Sequence, residues 1–302
     1  MSKISYSGLE KKLLETGMTK SSLAKEVGIS SRTIAKIGRQ EKIANHVLER
    51  IAEYFGCSVD TLYQSVSENK ILQTLREEKA WRISGGIYHE LQVHMTYNSN
   101  RIEGSKLSED QTRMIFETST IDASESVSID DVIETVNHFR AIDYCIDEAE
   151  EELTQDFIKE LHRIFKQGTS DSMLSWFAVG DYKTRANVVG GRETAKPHEV
   201  TERMQALLAE YEANPAITVD NIIEFHYRFE RIHPFQDGNG RVGRLIALKE
   251  CLRFGITPFI IEDSKKMFYY RGFAEWEREE GYLRDTCLDG QDTFKKMLTL
   301  FD

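Results

Sequence analysis

A helix-rich protein in two domains, interrupted by one short β-hairpin, is what the sequence predicts. Three observations carry this. The 302 residues include only 4 prolines, with 29% charged and 40% hydrophobic residues, the composition of a folded chain that favours helices. Apolar residues recur at three- and four-residue spacing in segment after segment, several of them opened by Ser or Thr and closed by Gly. The charge is also uneven. The net is −11, yet through Asp60 ten Lys and Arg stand against seven Asp and Glu, +3, which leaves −14 for the remainder. An acidic whole argues against a nucleic-acid coat protein and puts any affinity for a phosphate backbone at the front.

The front divides into short helices. Leu9 to Glu15 is the first. Thr19 caps a second with Leu23, Ala24 and Val27 on its apolar side, and Gly28 ends it. Ser30 or Ser31 caps a third carrying Ile34 and Ile37, and Gly38 shortens it. His46 to Tyr54 and Val59 to Tyr63 complete the bundle. Two short helices joined by a Gly-containing turn predict a helix-turn-helix whose third helix reads duplex DNA. Ser31, Arg32, Thr33, Lys36 and Arg39 form its polar side, suited to phosphates and base edges. The string MTKSSLAKEVGISSRTIAKIGRQEKIANHVLERIAEYFGCSVDTLY also resembles the phage-repressor class of helix-turn-helix domains. A homodimer is the usual state of that class.

Gln64 to Lys70 is polar and marks the boundary. Helical pattern then runs from Ile71 to about Asn98 with a soft spot at Ser84-Gly85-Gly86, followed by Glu109 to Glu117, Ile129 to Glu148 and Leu153 to Phe165. A polar loop spans Ser119 to Ser128. From Phe177 to Lys196 the pattern changes, and Asn187-Val188-Val189 closed by Gly190-Gly191 predicts a hairpin. Helices resume at His198 to Tyr211 and after Thr218. The run around Asp263 to Glu279 carries Phe268, Tyr269, Tyr270, Phe273 and Trp276 at core spacing, with Tyr269 a candidate wall for a base pocket.

The segment Ile232 to Leu245 reads IHPFQDGNGRVGRL. Pro234 disfavours helix at His233, so a helix ends there. Gly238-Asn239-Gly240 makes a tight turn into a buried helix, whose first backbone N–H groups form an anion site. Arg241 and Arg244 sit in its first turns, where arginine is unfavourable unless something strongly negative binds. Asp237 is a single carboxylate suited to Mg²⁺, which shares its ligands with phosphates. His233, beside this anion site, can serve as general base for a hydroxyl attacking phosphorus. No GxxxxGK[ST] string occurs, so this is not a P-loop.

As a whole, HPFQDGNGRVGR matches the HPFx[D/E]GNGRxxR signature at every defining position and resembles the Fic-domain proteins of the Fic/Doc family. The resemblance covers about Asn98 to Phe254. It implies an all-α fold with a small β-hairpin flap and, for most members, transfer of AMP from ATP to a Ser, Thr or Tyr hydroxyl of a target protein, self-modification included. Carried over, His233 is the general base and Asp237 the Mg²⁺ ligand. Gly238, Asn239, Gly240 and Arg241 hold the nucleotide phosphates, and Arg244 holds the γ-phosphate. Asn187, Val188, Val189 and Gly190 lie where the flap clamps a target segment. Where the family carries Gly-x-Tyr-Arg before the flap, this chain has Gly180-Asp181-Tyr182-Lys183. TYNSNRIEG, Thr96 to Gly104, fits the family's inhibitory [S/T]xxxE[G/N] motif, so the resemblance implies that Ser99 and Glu103 belong to a brake in which Glu103 pairs with Arg244.

The expected organisation is a helix-turn-helix domain over 1–66, a helical linker over 67–98, a Fic domain with its inhibitory motif over 99–255 and a helical extension over 256–302. The expected function is a protein adenylyltransferase using ATP and Mg²⁺. Two alternatives remain. One is AMP removal, or transfer of another phosphate-containing group, at the same site. The other is a DNA-binding transcriptional regulator with a sensory Fic site. The four cysteines, 88, 106 and 36 residues apart, have no metal-site spacing and suit a reducing compartment. The opening MSKISYSGLEKKLLETG lacks an apolar signal core, and no apolar run approaches a membrane span. A cytoplasmic protein with no membrane partner is expected.

Overall fold

Five short helices and one strand pair build the front unit. In chain order these are β1 (Lys3–Ser5), α1 (Ser7–Glu15), α2 (Lys20–Val27), α3 (Ser31–Gly38), α4 (Asn45–Phe55), α5 (Val59–Leu62) and β2 (Gln64–Val66). The computed structural model describes residues 3–66, 69–122 and 126–301. Parts of the expected boundary (67–68) and of the expected polar loop (123–125) lie outside the described residues, as does the start of the chain at 1–2.

The caps explain where the front helices begin and end. The Thr19 hydroxyl accepts from the Ser22 N–H, and Ser22 returns the bond by accepting from the Thr19 N–H. Of the two serines considered for α3, Ser30 is the cap, accepting from the Thr33 N–H at 3.1 Å. Gly28 and Gly56 end α2 and α4 in the left-handed region, at φ +67° and +61°. Leu9, Leu23, Ile37, Leu48, Ile51 and Leu62 close an apolar core of the unit's own. The antiparallel pairing of β1 with β2, Lys3 opposite Val66 and Ser5 opposite Gln64, was not anticipated. Strands of three residues are too short to show a two-residue period.

The second unit spans 70–302. Its elements are α6 (Lys70–Trp81), α7 (Ile87–Ile102), α8 (Glu109–Thr118), α9 (Ile129–Asp147), α10 (Gln155–Lys166), β3 (Val188–Val189), β4 (Arg192–Glu193), α11 (Pro197–Glu212), α12 (Val219–Ile232), α13 (Asn239–Phe254), α14 (Lys266–Glu275) and α15 (Gly281–Thr299). This is the all-α architecture with a small hairpin that was expected. The stretch read as a linker packs instead of linking. From Lys70 onward it belongs to this unit, and Leu72, Leu75, Ile87, Leu91 and Met95 are buried in the main core. Its apolar period was a buried face, which a solvated linker has no reason to carry. The soft spot at Gly85 (φ +74°) separates α6 from α7.

Helix α13 is buried on nearly every side through Val242, Leu245, Ile246, Leu248, Cys251 and Leu252, with α7, α9, α10 and α12 around it. That placement brings its amino end to the meeting point of α7, α9, α10 and α12. All four cysteines are free thiols. Among the described residues, no helix is long and apolar enough to cross a membrane.

Candidate active site

The loop between α12 and α13 is held by its own side chains. Pro234 ends α12, and His233 adopts φ +52°, left-handed and unfavourable for a residue with a Cβ. Asn239 stabilises the turn. Its Oδ1 accepts from the Phe235 N–H at 2.8 Å, and its Nδ2 donates to the Phe235 carbonyl at 2.9 Å. The Asn239 side chain therefore shapes the loop. Phe235 is fully buried and stacks on His162 at 3.9 Å between ring centres. His162 accepts from the Gly180 N–H through Nδ1, so its Nε2–H donates to the Asp237 carbonyl at 3.2 Å. Burial pushes the His162 pKa down to about 3, so it stays neutral.

The two arginines of α13 have different partners. The Arg241 guanidinium donates to Glu134 Oε2 at 2.5 Å and to Asp237 Oδ2 at 3.2 Å, and lies over the Phe165 ring. The buried Lys166 ammonium completes this cluster, 2.8 Å from Glu134, 2.8 Å from Asp237 and 3.1 Å from Asp171. Burial would lower the Lys166 pKa, but Asp237 and Glu134 outweigh it and hold it above the usual lysine value. Burial would likewise raise Asp237, yet Arg241 and Lys166 hold it down at about 2. Both cations meet the same carboxylate oxygen, Oδ2, and the Asp237 side chain is half exposed.

Arg244 is satisfied by the end of α7. Its Nε donates to the Ser99 hydroxyl at 2.9 Å, and its Nη2 donates to the Ser99 carbonyl at 3.0 Å and to Glu103 Oε1 at 2.7 Å. Nη1 lies 3.4 Å from the Tyr269 hydroxyl. Glu103 is the cap residue of α7, and Gly104 turns the chain away at φ +105°. Its carboxylate sits over the first turn of α13. A Cβ on Gly240 would come within 2.2 Å of Glu103 Oε1, so a larger residue there would push the Glu103 carboxylate aside. An intramolecular anion thus occupies the place where a helix amino end and an arginine favour negative charge.

The hairpin β3–β4 flanks the loop, with Val188 opposite Glu193 and Val189 opposite Arg192. Gly190 and Gly191, both at positive φ, make its turn. Val188 and Val189 are exposed. Asn187 faces the other way and anchors the hairpin, donating to the Phe235 carbonyl at 3.2 Å and accepting from Lys183 Nζ at 2.7 Å. Lys183, standing where the family carries Arg, also donates to Thr194 at 2.7 Å, and its backbone N–H donates to the Pro234 carbonyl at 2.8 Å. Burial pushes its pKa down to about 8.

A cavity of about 450 Å³ opens beside His233, Glu103, Gly240 and Arg244, with flap residues on one side and Tyr270, Phe273 and Ala274 on another. The aromatic run of α14 is less uniformly core than its spacing predicts, since Phe268 and Tyr270 are exposed. Tyr269 is buried, and its hydroxyl meets His226 Nε2 at 2.5 Å. Glu134, Lys166, Glu230 and His226 were not singled out from sequence. Glu134 on α9 and Lys166 on α10 reach the site only through packing, while Glu230 and His226 lie on α12, which leads into the loop.

On α3, Ser31 and Arg32 are exposed and Thr33 and Lys36 half exposed. The Thr33 hydroxyl shares a hydrogen bond with Ser30. Arg39 lies just past the helix and pairs with Glu41 at 2.6 Å.

Comparison with known proteins finds two family matches in separate stretches of the chain. Residues 152–251 match the Fic/DOC family, and residues 9–68 match the Cro/C1-type HTH DNA-binding domain. The chain is 30% identical over 189 residues to Protein adenylyltransferase Fic of Nematostella vectensis, covering 58% of this chain and 40% of that protein. It is 29% identical over 179 residues to Protein adenylyltransferase fic-1 of Caenorhabditis elegans, covering 58% of this chain and 34% of that one. It spans less than half the length of these curated relatives. A crystal structure of a Fic domain containing signaling protein from Bacteroides thetaiotaomicron superposes with a TM-score of 0.62 at 26% identity, over 77% of this chain and 92% of that chain. With the signature loop, the buried α13 and the front helical bundle, residues 152–251 are similar to the Fic/DOC family and residues 9–68 to the Cro/C1-type HTH DNA-binding domain.

Proposed function

We propose that the large unit is a protein adenylyltransferase that moves AMP from ATP to a hydroxyl side chain of a target protein, and that Glu103 restrains it. The observation that carries this reading is the Glu103 carboxylate on Arg244, 2.7 Å away, above the first turn of α13. That spot suits the γ-phosphate of ATP. The backbone N–H groups of Gly238 to Arg241 and the Arg241 guanidinium would take the remaining phosphates, and the cavity beside Tyr270 and Phe273 the adenosine. His233, adjacent to the cavity, would accept the proton of the attacking hydroxyl, with pyrophosphate leaving. The half-exposed Asp237 carboxylate fits Mg²⁺, which neutralises phosphate charge when bound. Exposed Val188 and Val189 would pair with a target segment in β fashion. Curated relatives carrying the name protein adenylyltransferase support the reaction class.

Replacing Glu103 with Gly tests the reading. AMP incorporation into added protein or into the chain itself, read by intact mass with ATP and Mg²⁺, should rise at least about tenfold over wild type, the scale of a lost charge-assisted contact. Equal incorporation by the two folded proteins, with a competent target present, would refute the brake. If Glu103 serves AMP removal, E103G should lose that hydrolysis while gaining transfer.

The front unit is proposed to bind duplex DNA as a dimer through α3, with the Cro/C1-type match as support.

A further inference from the structure

Among the described residues, the buried polar atoms near the loop without a hydrogen-bond partner include His233 Nδ1, Glu230 Oε1 and His226 Nδ1. They converge on one place. Glu230 Oε2 stands 3.6 Å from His233 Nδ1, and both side chains are about 15% exposed or less. A Cβ built on Gly243 would lie 2.7 Å from His226 Nδ1 and 2.8 Å from Glu230 Oε1. Glycine there leaves the space these groups share.

We propose that Glu230 is a positioning residue for His233: its carboxylate accepts the Nδ1–H of the imidazole and so turns the unprotonated Nε2 toward the cavity. This rests on the reading of His233 as the general base. The left-handed turn at His233 places the imidazole against the residue three positions earlier, on the last turn of α12, and that residue is Glu230. Unpaired buried carboxylates are costly, and this one has no lysine or arginine within bonding distance among the described residues. Arg244, the nearest candidate, is taken by Ser99, Glu103 and Tyr269. His226 donates or accepts at Tyr269 through Nε2, which leaves its other nitrogen facing the carboxylate. Burial would raise the Glu230 pKa, but His233, His226 and Arg244 outweigh it and hold it below the usual glutamate value. An ionised carboxylate on Nδ1 fixes the tautomer and stabilises the imidazolium that forms when Nε2 takes a proton.

The test is the protonation pattern of His233 in the full chain. Long-range ¹H–¹⁵N spectra of histidine-labelled protein at a pH where His233 is neutral, assigned by loss of the signal in H233A, should show Nδ1 protonated and Nε2 bare. Finding the proton on Nε2 instead would overturn the proposal whatever the activity. In the E103G protein, E230L should lose the Nδ1–H pattern, and kcat should fall roughly tenfold or more while KM for ATP stays within about twofold. E230Q keeps an acceptor oxygen and should retain the tautomer with an intermediate kcat, which serves as the test if E230L does not fold. Unchanged tautomer and kcat in a folded E230L would also overturn it. An Nδ1-protonated His233 in a protein with no AMP transfer would leave the positioning intact and refute the transferase reading instead.

Discussion

The two units treat charge in opposite ways. The front unit closes its core with apolar side chains, and its ion pairs, such as Lys20–Glu10 and Arg39–Glu41, lie at the surface. Among the described residues, every buried histidine, lysine, arginine and acid belongs to the large unit: His138, His162, Lys166, His226, Arg241 and Arg244 among them. Burying a charge costs several kcal/mol unless it is paired, and surface pairs contribute little. A fold that carries so many buried polar groups at one place has chemistry to support there. A bundle without them offers only its surface, in keeping with recognition of an extended partner.

The largest expected effect sharpens the chemical side of this contrast. H233A in the E103G protein should lose AMP transfer by about a hundredfold or more, the share general-base catalysis typically supplies. ATP binding by calorimetry should stay near normal, because in the proposed mechanism the imidazole would meet the hydroxyl and not the phosphates. Near-normal transfer would remove His233 from the mechanism.

Next comes the dependence on Arg244. E103G combined with R244A should return to the low transfer of wild type, since the freed site has lost its cation. Helix damage by E103G would instead leave both variants poor, so intact-mass incorporation separates the two causes.

Acid should then separate the units. Burial holds His138 and His162 at about 3 and His226 at about 4. The unfolded chain protonates these groups near 6.5. The stability they contribute is therefore present above 6.5 and is lost as pH falls toward 4, by about 1.4 kcal/mol per pH unit for each histidine that stays neutral in the fold. Asp237, held at about 2, adds a further loss between about 4 and 2. The front unit has one histidine, His46, and it is exposed. Calorimetry of the full chain from pH 7 to 4 should show the large unit's transition moving down while the front unit's stays. Parallel shifts would contradict the contrast.

The smallest effects test the surface reading. R32A with K36A should weaken duplex binding severalfold and flatten its salt dependence by about two counterions. R39A should do less than either, because Arg39 is already paired with Glu41. Titrations at two salt concentrations measure both, and an R39A loss equal to that of R32A would show that the pair opens on DNA.

Local chemistry made much of this protein legible without a fold. Thr19, Thr218, Gly28 and Pro234 mark element ends because caps, left-handed turns and a missing N–H act within one helical turn. The Gly190-Gly191 hairpin and the continuous HPFQDGNGRVGR loop are local in the same sense. The resemblance brought Ser99 and Glu103 to attention although they stand far from Arg244 in the chain. What only the tertiary structure decided are the pairings that no period records. Glu134 reaches Arg241 across 107 residues, Lys166 reaches Asp237 across 71, and the Tyr269 hydroxyl reaches His226 across 43. On its own helix each of these reads as one more polar or aromatic position. Their meaning appears when α7, α9, α10, α12 and α14 close around the amino end of α13 and leave each buried charge to find its partner in the protein.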